Sequence, residues 1–225
     1  MLASLLSGGN FSIVEFIVGL LLRLPIVMLA LSLHETAHGY VALKLGDPTA
    51  QNFGRLTLNP TKHFDPIGFL CMVLFGFGWA KPVPINTRYF KNPKRGMALS
   101  AAAGPISNLL LALIFATLWR IELEIAPEYF TNEFLYNVFY WIQEILIAGI
   151  TLNVGFAVFN LIPIPPFDGS RIFLVLLPED LYFKIMRYER QLYAVLMIAL
   201  VLGVLDKPLS LVSNFFLNLI LKTVF

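Results

Sequence analysis

A chain of 225 residues that is 58% hydrophobic and 13% charged, with a mean hydropathy of +0.76, is too apolar for a soluble globular domain and reads as an integral membrane protein. A formal net charge of +2, with no Lys/Arg block interleaved with exposed aromatics, excludes nucleic acid as a partner. The single cysteine, Cys71, excludes an internal disulfide and a thiolate metal cluster.

Residues 1–10 lack a basic region and a small-residue cleavage site ahead of the first apolar stretch, so they read as a short tail and not as a removable signal. From Phe11 to Leu45 the chain is apolar apart from Glu15, Arg23, Lys44 and "HETAH". This run exceeds the roughly 20 residues that cross a bilayer, so it must kink or protrude, and Pro25 is the expected break. "LGDP" supplies the stop.

A polar loop leads to Asp65, then comes a short apolar run, 66–80, containing Gly68, Gly76 and Gly78. Between Lys44 and Arg95 stand eight Lys/Arg and two acids, whereas Arg120 to Glu133 holds one Arg and four Glu. The first region is therefore expected inside and the second outside. With basic flanks on both sides, the 66–80 run is expected to dip into the membrane and return.

Met97 to Trp119 is expected to cross outward, with the small residues of "SAAAGPISN" forming a close-packing seam. Tyr136 to Ile162 crosses back and delivers "NLIPIPPFDG" to the inner side. A mixed-charge segment, Arg171 to Arg190, precedes two apolar stretches, Leu192–Leu205 and Leu209–Leu221, which "DKP" separates like a hairpin. The expected fold is all-α and polytopic: about five spanning helices, plus a re-entrant or short hairpin element around residues 66–80. It forms one membrane-embedded domain, 1–225, with a core over about 24–171 and a C-terminal hairpin over about 191–225.

The chemistry centres on "HETAH". On a helix, His34 and His38 lie four residues apart on one face, so two imidazoles can converge on one divalent ion. Glu35 sits beside that face, placed to take a proton from water and later deliver it to a leaving amine. Ionisable groups inside a span persist mainly where they serve a polar or functional interior. A catalytic zinc site takes three protein ligands and one open position, and the residues offer His63, Asp65, Asp168 and Glu144 for the third. His63 and Asp65 fit loop structure, with Asp65 capping the next element, and Glu144 fits a helix interface. Asp168 has the best topological case, because it follows an inward-running helix and reaches the depth of "HETAH". Pro163, Pro165 and Pro166 forbid regular helix before it, so the chain is expected to be extended there and able to hold a substrate segment as an added strand.

Together, "HETAH" in a hydrophobic helix and "NLIPIPPFDG" at the end of a later span resemble the site-2 protease family of intramembrane zinc metalloproteases, peptidase family M50. The intervening "GDPTAQNFGRLTLNPTKHFDPIG", "GFGWAKPVP" and "AAAGPISN" resemble its compact bacterial branch without a PDZ domain, over about Leu24 to Arg171. The resemblance implies one zinc ion held by His34, His38 and Asp168, Glu35 as catalytic base, and Asn160 near the substrate, helping to polarise the scissile carbonyl. It further implies membrane-protein substrates cut within the lipid bilayer. The expected location is a bacterial inner membrane, crossed several times, with the active site toward the cytoplasm. The oligomeric state is undetermined.

Two other functions compete: a non-proteolytic zinc-binding transport or regulatory protein, and an inactive scaffold that captures membrane helices. Glu35 discriminates, since a purely structural site needs no acid beside a ligand, and a transporter would more often show internal repeats.

Overall fold

The computed structural model describes residues 13–75, 78–125 and 132–225; the expected tail over residues 1–10 lies outside them. Helix α1, Ile13–Lys44, runs unbroken for 32 residues, about 48 Å at 1.5 Å per residue. That exceeds a hydrocarbon core of about 30 Å. Pro25 lies inside this helix and does not end it, so the excess length is taken up by tilt or protrusion. The stop comes at Gly46, whose φ of +106° is open to glycine and strained for other residues.

Asp47, fully buried, then ties the exit loop: Oδ1 accepts from Thr49 N at 2.9 Å and Oδ2 from Asn86 N at 2.6 Å. The short α2, Thr49–Asn52, and a 3-10 turn, Pro60–Lys62, lead to α3, Pro66–Phe75. At ten residues, α3 spans about 15 Å, half a membrane core. The chain then returns to where α3 began. Lys81 N donates to His63 O at 2.9 Å. A Cβ placed on Gly68 would lie 2.1 Å from the Trp79 carbonyl oxygen, so the return path requires glycine at that point. The two ends of the 66–80 run thus meet, while residues 76–77 lie outside the described part.

A second 3-10 turn, Thr87–Tyr89, precedes α4, Pro93–Ile125, and α5, Glu133–Asn160, follows. Asn132 opens α5 by accepting from the amides of Phe134 and Leu135, satisfying donors that the helix itself leaves free. In α4, Ile106, Leu110, Ile114 and Leu118 form an exposed row at four-residue spacing, while Ser100, Gly104, Asn108, Ala112 and Ala116 are buried. Large apolar side chains face outward and small ones face the other helices, the pattern of a helix solvated by lipid. Ala112 and Ala116 meet Ile150, Val154 and Val158 of α5 in the main core. Gly149 admits the Phe115 ring, which a Cβ there would meet at 2.5 Å.

The C-terminal part is α6, Asp168–Leu174; α7, Glu179–Arg187; α8, Glu189–Val201; and α9, Asp206–Val224. Two expectations are corrected here. Among the described residues, three helices, α1, α4 and α5, are long and apolar enough to cross a membrane, or four spans if α8 and α9 count as one bent pair, fewer than the five expected. With 13 residues, α8 rises only about 20 Å and does not cross alone. The pair also turns through 85°, making a corner where a hairpin was expected; "DKP" lies in the first turn of α9, where helix needs no amide donor from proline. Among the described residues there is no strand.

Candidate metal centre

The four-residue spacing within α1 brings the imidazoles of His34 and His38 to a centroid separation of 4.5 Å. Asp168 reaches them from α6. Its Oδ2 lies 3.1 Å from His34 Nε2 and 3.2 Å from His38 Nε2. The prolines of 161–167 exclude helix there, but the stretch is a run of turns and bends, with Phe167 N donating to Ile164 O at 3.2 Å, and not the extended segment expected. Asp168 itself opens a helix. Gly169 lets the new helix fold back onto the end of α5, where a Cβ would lie 2.3 Å from Leu161 O.

Hydrogen bonding on the far side of each ring settles what Nε2 offers. His34 Nδ1 lies 2.6 Å from Asn108 Oδ1, and His38 Nδ1 lies 2.8 Å from the Ser100 carbonyl oxygen. Both partners are acceptors, so each neutral ring carries its proton on Nδ1 and turns a lone pair inward at Nε2. Asp168 Oδ2 is buried and has no hydrogen-bond donor. Three lone-pair atoms, mutually within 4.8 Å, therefore face one another without a proton between them. A cation, a metal ion or a proton, resolves that conflict. Their chemistry, two imidazoles and a carboxylate, is a zinc set, and separations just above 3 Å approach the roughly 3.3 Å between ligand atoms of a tetrahedral site with bonds of about 2.0–2.1 Å.

Helix α4 builds the wall behind the histidines. Ser100, Gly104 and Asn108 lie on one face: Ser100 O takes the His38 proton, Asn108 takes that of His34, and Ser100 Oγ donates back to His38 O at 2.8 Å. Gly104 lies between them, where a Cβ would stand 2.5 Å from atoms of both rings. Sequence reasoning treated "SAAAGPISN" as a packing seam and did not assign these roles. The usable signal was the four-residue spacing of Ser100, Gly104 and Asn108, matching that of His34 and His38 on a neighbouring helix.

Glu35, His34, His38, Asp168 and Asn160 line one cavity of about 750 Å³, with Trp79, Val83 and Phe159 among its other walls. One oxygen of Glu35, Oε2, accepts from Val83 N at 2.7 Å. Asn160 lies on the cavity wall with Nδ2 bonded to Phe156 O at 3.0 Å, outside the metal-binding group. The other third-ligand candidates are engaged elsewhere. His63 Nε2 contacts Thr57 O at 2.8 Å, Asp65 Oδ1 accepts from Gly68 N at 2.8 Å at the start of α3, and Glu144 lines a separate cleft with Arg23 and Trp141. Among the described residues, the metal-binding group consists of His34, His38 and Asp168.

Comparison with known proteins identifies the family of the chain. The family model for peptidase family M50 matches residues 23–205. YwhC of Bacillus subtilis is 39% identical over 175 residues, covering 78% of each chain. MJ0611 of Methanocaldococcus jannaschii is 31% identical, covering 76% of each. Rip2 of Mycolicibacterium smegmatis is 30% identical over 63% of this chain and 52% of its own. All three bear the name "Putative zinc metalloprotease". No solved structure gives a significant match. A family match running from α1 to the corner after α8, over every residue of the metal-binding group, shows that the chain belongs to peptidase family M50.

Proposed function

We propose that the chain is an intramembrane zinc metalloprotease that hydrolyses peptide bonds in or near transmembrane segments of membrane proteins, with Glu35 as general base. The observation that carries this reading is the placement of Glu35 on the same cavity as the three converging ligand atoms. Zinc at that position, one per chain, supplies a Lewis acid for the scissile carbonyl and makes water a stronger acid. Glu35 accepts the proton of the attacking water and passes it to the departing amine nitrogen, so the proton lost by one partner is gained by the other. The Val83 amide holds Oε2, which orients the carboxylate and leaves Oε1 for proton transfer. Asn160, on the facing wall, orients the carbonyl by hydrogen bonding once its amide turns from Phe156. A purely structural zinc site closes its coordination with a fourth side chain; here the fourth side is the cavity.

The basic loops support a site facing the cytoplasm, with the 66–80 segment dipping into the membrane from that side. Cysteines introduced at the exposed positions Lys62 and Lys81, in a Cys71→Ser background, are expected to react with an impermeant maleimide from the same face of sealed vesicles. Reaction from opposite faces would remove the dip.

The function itself is tested with purified chain and a panel of single-span membrane proteins in liposomes. Cleavage within or beside the span is expected, lost on treatment with a zinc chelator and restored by added zinc. Cleavage indifferent to chelation would overturn the zinc mechanism, and intact substrates across the panel would count against proteolysis.

A further inference from the structure

We infer that Asn108 and Asn153 form a positioning relay that fixes the proton of His34 on Nδ1 and so keeps its Nε2 free for metal. The inference rests on reading the centre as a zinc site, and does not require that the chain cleave peptides.

The relay begins at a group that cannot change its role. The Gly149 carbonyl can only accept, and Asn153 Nδ2 donates to it at 2.8 Å. With its nitrogen committed, Asn153 presents Oδ1 to Asn108, whose Nδ2 donates at 3.0 Å and also reaches Ala30 O at 3.3 Å. Asn108 is thereby turned so that Oδ1 faces His34 Nδ1 at 2.6 Å. An amide oxygen cannot donate, so the ring must. Each orientation follows from the one before it, and the last leaves a lone pair on Nε2. If the Asn108 amide were inverted, its NH2 would face Nδ1 and favour the proton on Nε2, where it would point at Asp168 and occupy the coordinating lone pair.

The two histidines differ in this respect. His38 is oriented by a backbone carbonyl, that of Ser100, which cannot rotate within a helix. His34 is oriented by an amide that could flip, and an amide of this kind needs a second residue to hold it. Asn108 and Asn153 are 1% and 0% exposed, so bulk water has no access to take over either bond. Neutral polar side chains buried among apolar helices are retained where every hydrogen-bonding group finds a partner. The relay also joins α1, α4 and α5 at one level, so the packing of the three longest helices and the protonation of a ligand are set by the same bonds.

The test compares Asn153→Leu with Asn153→Asp in the full-length, detergent-purified chain. Leucine keeps the branched shape and removes both bonds. A carboxylic acid in its neutral form restores one acceptor and one donor. Zinc affinity, measured by competition with a chromogenic chelator, is expected to fall about 10–100-fold in Asn153→Leu, the range seen when a group behind a metal ligand is lost, and to recover substantially in Asn153→Asp. Native affinity in the leucine variant, or no recovery with aspartate, would overturn the relay. A readout independent of folding in the variants is the nitrogen NMR spectrum of histidine-labelled, metal-free native chain: His34 is expected to keep a proton on Nδ1, and a neutral ring with its proton on Nε2 alone would overturn the inference. The relay and the proteolytic reading fail separately. A chain that binds zinc as expected but cuts nothing loses the protease and keeps the relay, whereas a protease with native zinc affinity after Asn153→Leu does the reverse.

Discussion

Replacing Glu35 with glutamine is expected to abolish peptide-bond cleavage while leaving one zinc per chain. Glutamine has nearly the same shape, and its amide oxygen can still accept from Val83 N as Glu35 Oε2 does. It cannot accept a proton from water. General base catalysis contributes about 10²–10⁴-fold in rate, so residual turnover should fall by at least that range. The metal should stay, because the group of converging ligand atoms consists of His34, His38 and Asp168 without Glu35. Elemental analysis and a cleavage assay on the same preparation check both halves. Unchanged turnover would remove Glu35 from the role of base, and loss of zinc together with turnover would make it a ligand.

The second large effect is expected from a single methyl group. In Gly104→Ala the new Cβ would stand 2.5 Å from His34 Cε1 and from His38 Cε1 and Nε2. These rings are bonded to α4 itself through Asn108 and Ser100, so whether the rings withdraw or α4 backs away, the same buried bonds are stretched. Overpacking of this kind costs about 1–3 kcal/mol, which in a ligand site corresponds to about 5–150-fold in metal affinity. Helix content should be unaffected, since alanine favours helix over glycine. Gly155→Ala is the matched control: it lines the same cavity, and a Cβ there meets nothing within 4 Å. Equal zinc affinity in the two variants, measured by chelator competition, would show that the wall yields more easily than its contacts indicate.

Much of this centre could be read from residue order alone, and the part that could not has a physical reason. Metal ligands declare themselves by type and spacing, so His34 and His38 were legible from one pentapeptide, with Glu35 beside them as the candidate base. Asp168 was legible as the best-placed carboxylate, because three prolines and the direction of the preceding helix restricted where it could lie. Asn108 and Asn153 were not. Neutral amides serve in caps, turns and helix interfaces alike, and only the facing helix decides which. The span count failed for another reason. Apolar stretches near the end of the chain announce contact with lipid, but the angle between α8 and α9, 85°, comes from the turn between them and leaves no mark in hydropathy. The length of α1 was correctly legible and the effect of Pro25 was not, since proline removes one hydrogen bond and a long helix can tolerate that loss.

A chain still leaving the ribosome, with only α1 inserted, already carries His34, Glu35 and His38, but Asn108 comes 74 residues after His34 and Asp168 emerges only after α5. Until then each imidazole lacks its orienting partner, the pair lacks its carboxylate, and the wall at Gly104 is missing. Synthesis therefore acts as a timer. The metal-binding group is complete only when α1, α4, α5 and the start of α6 have all been made.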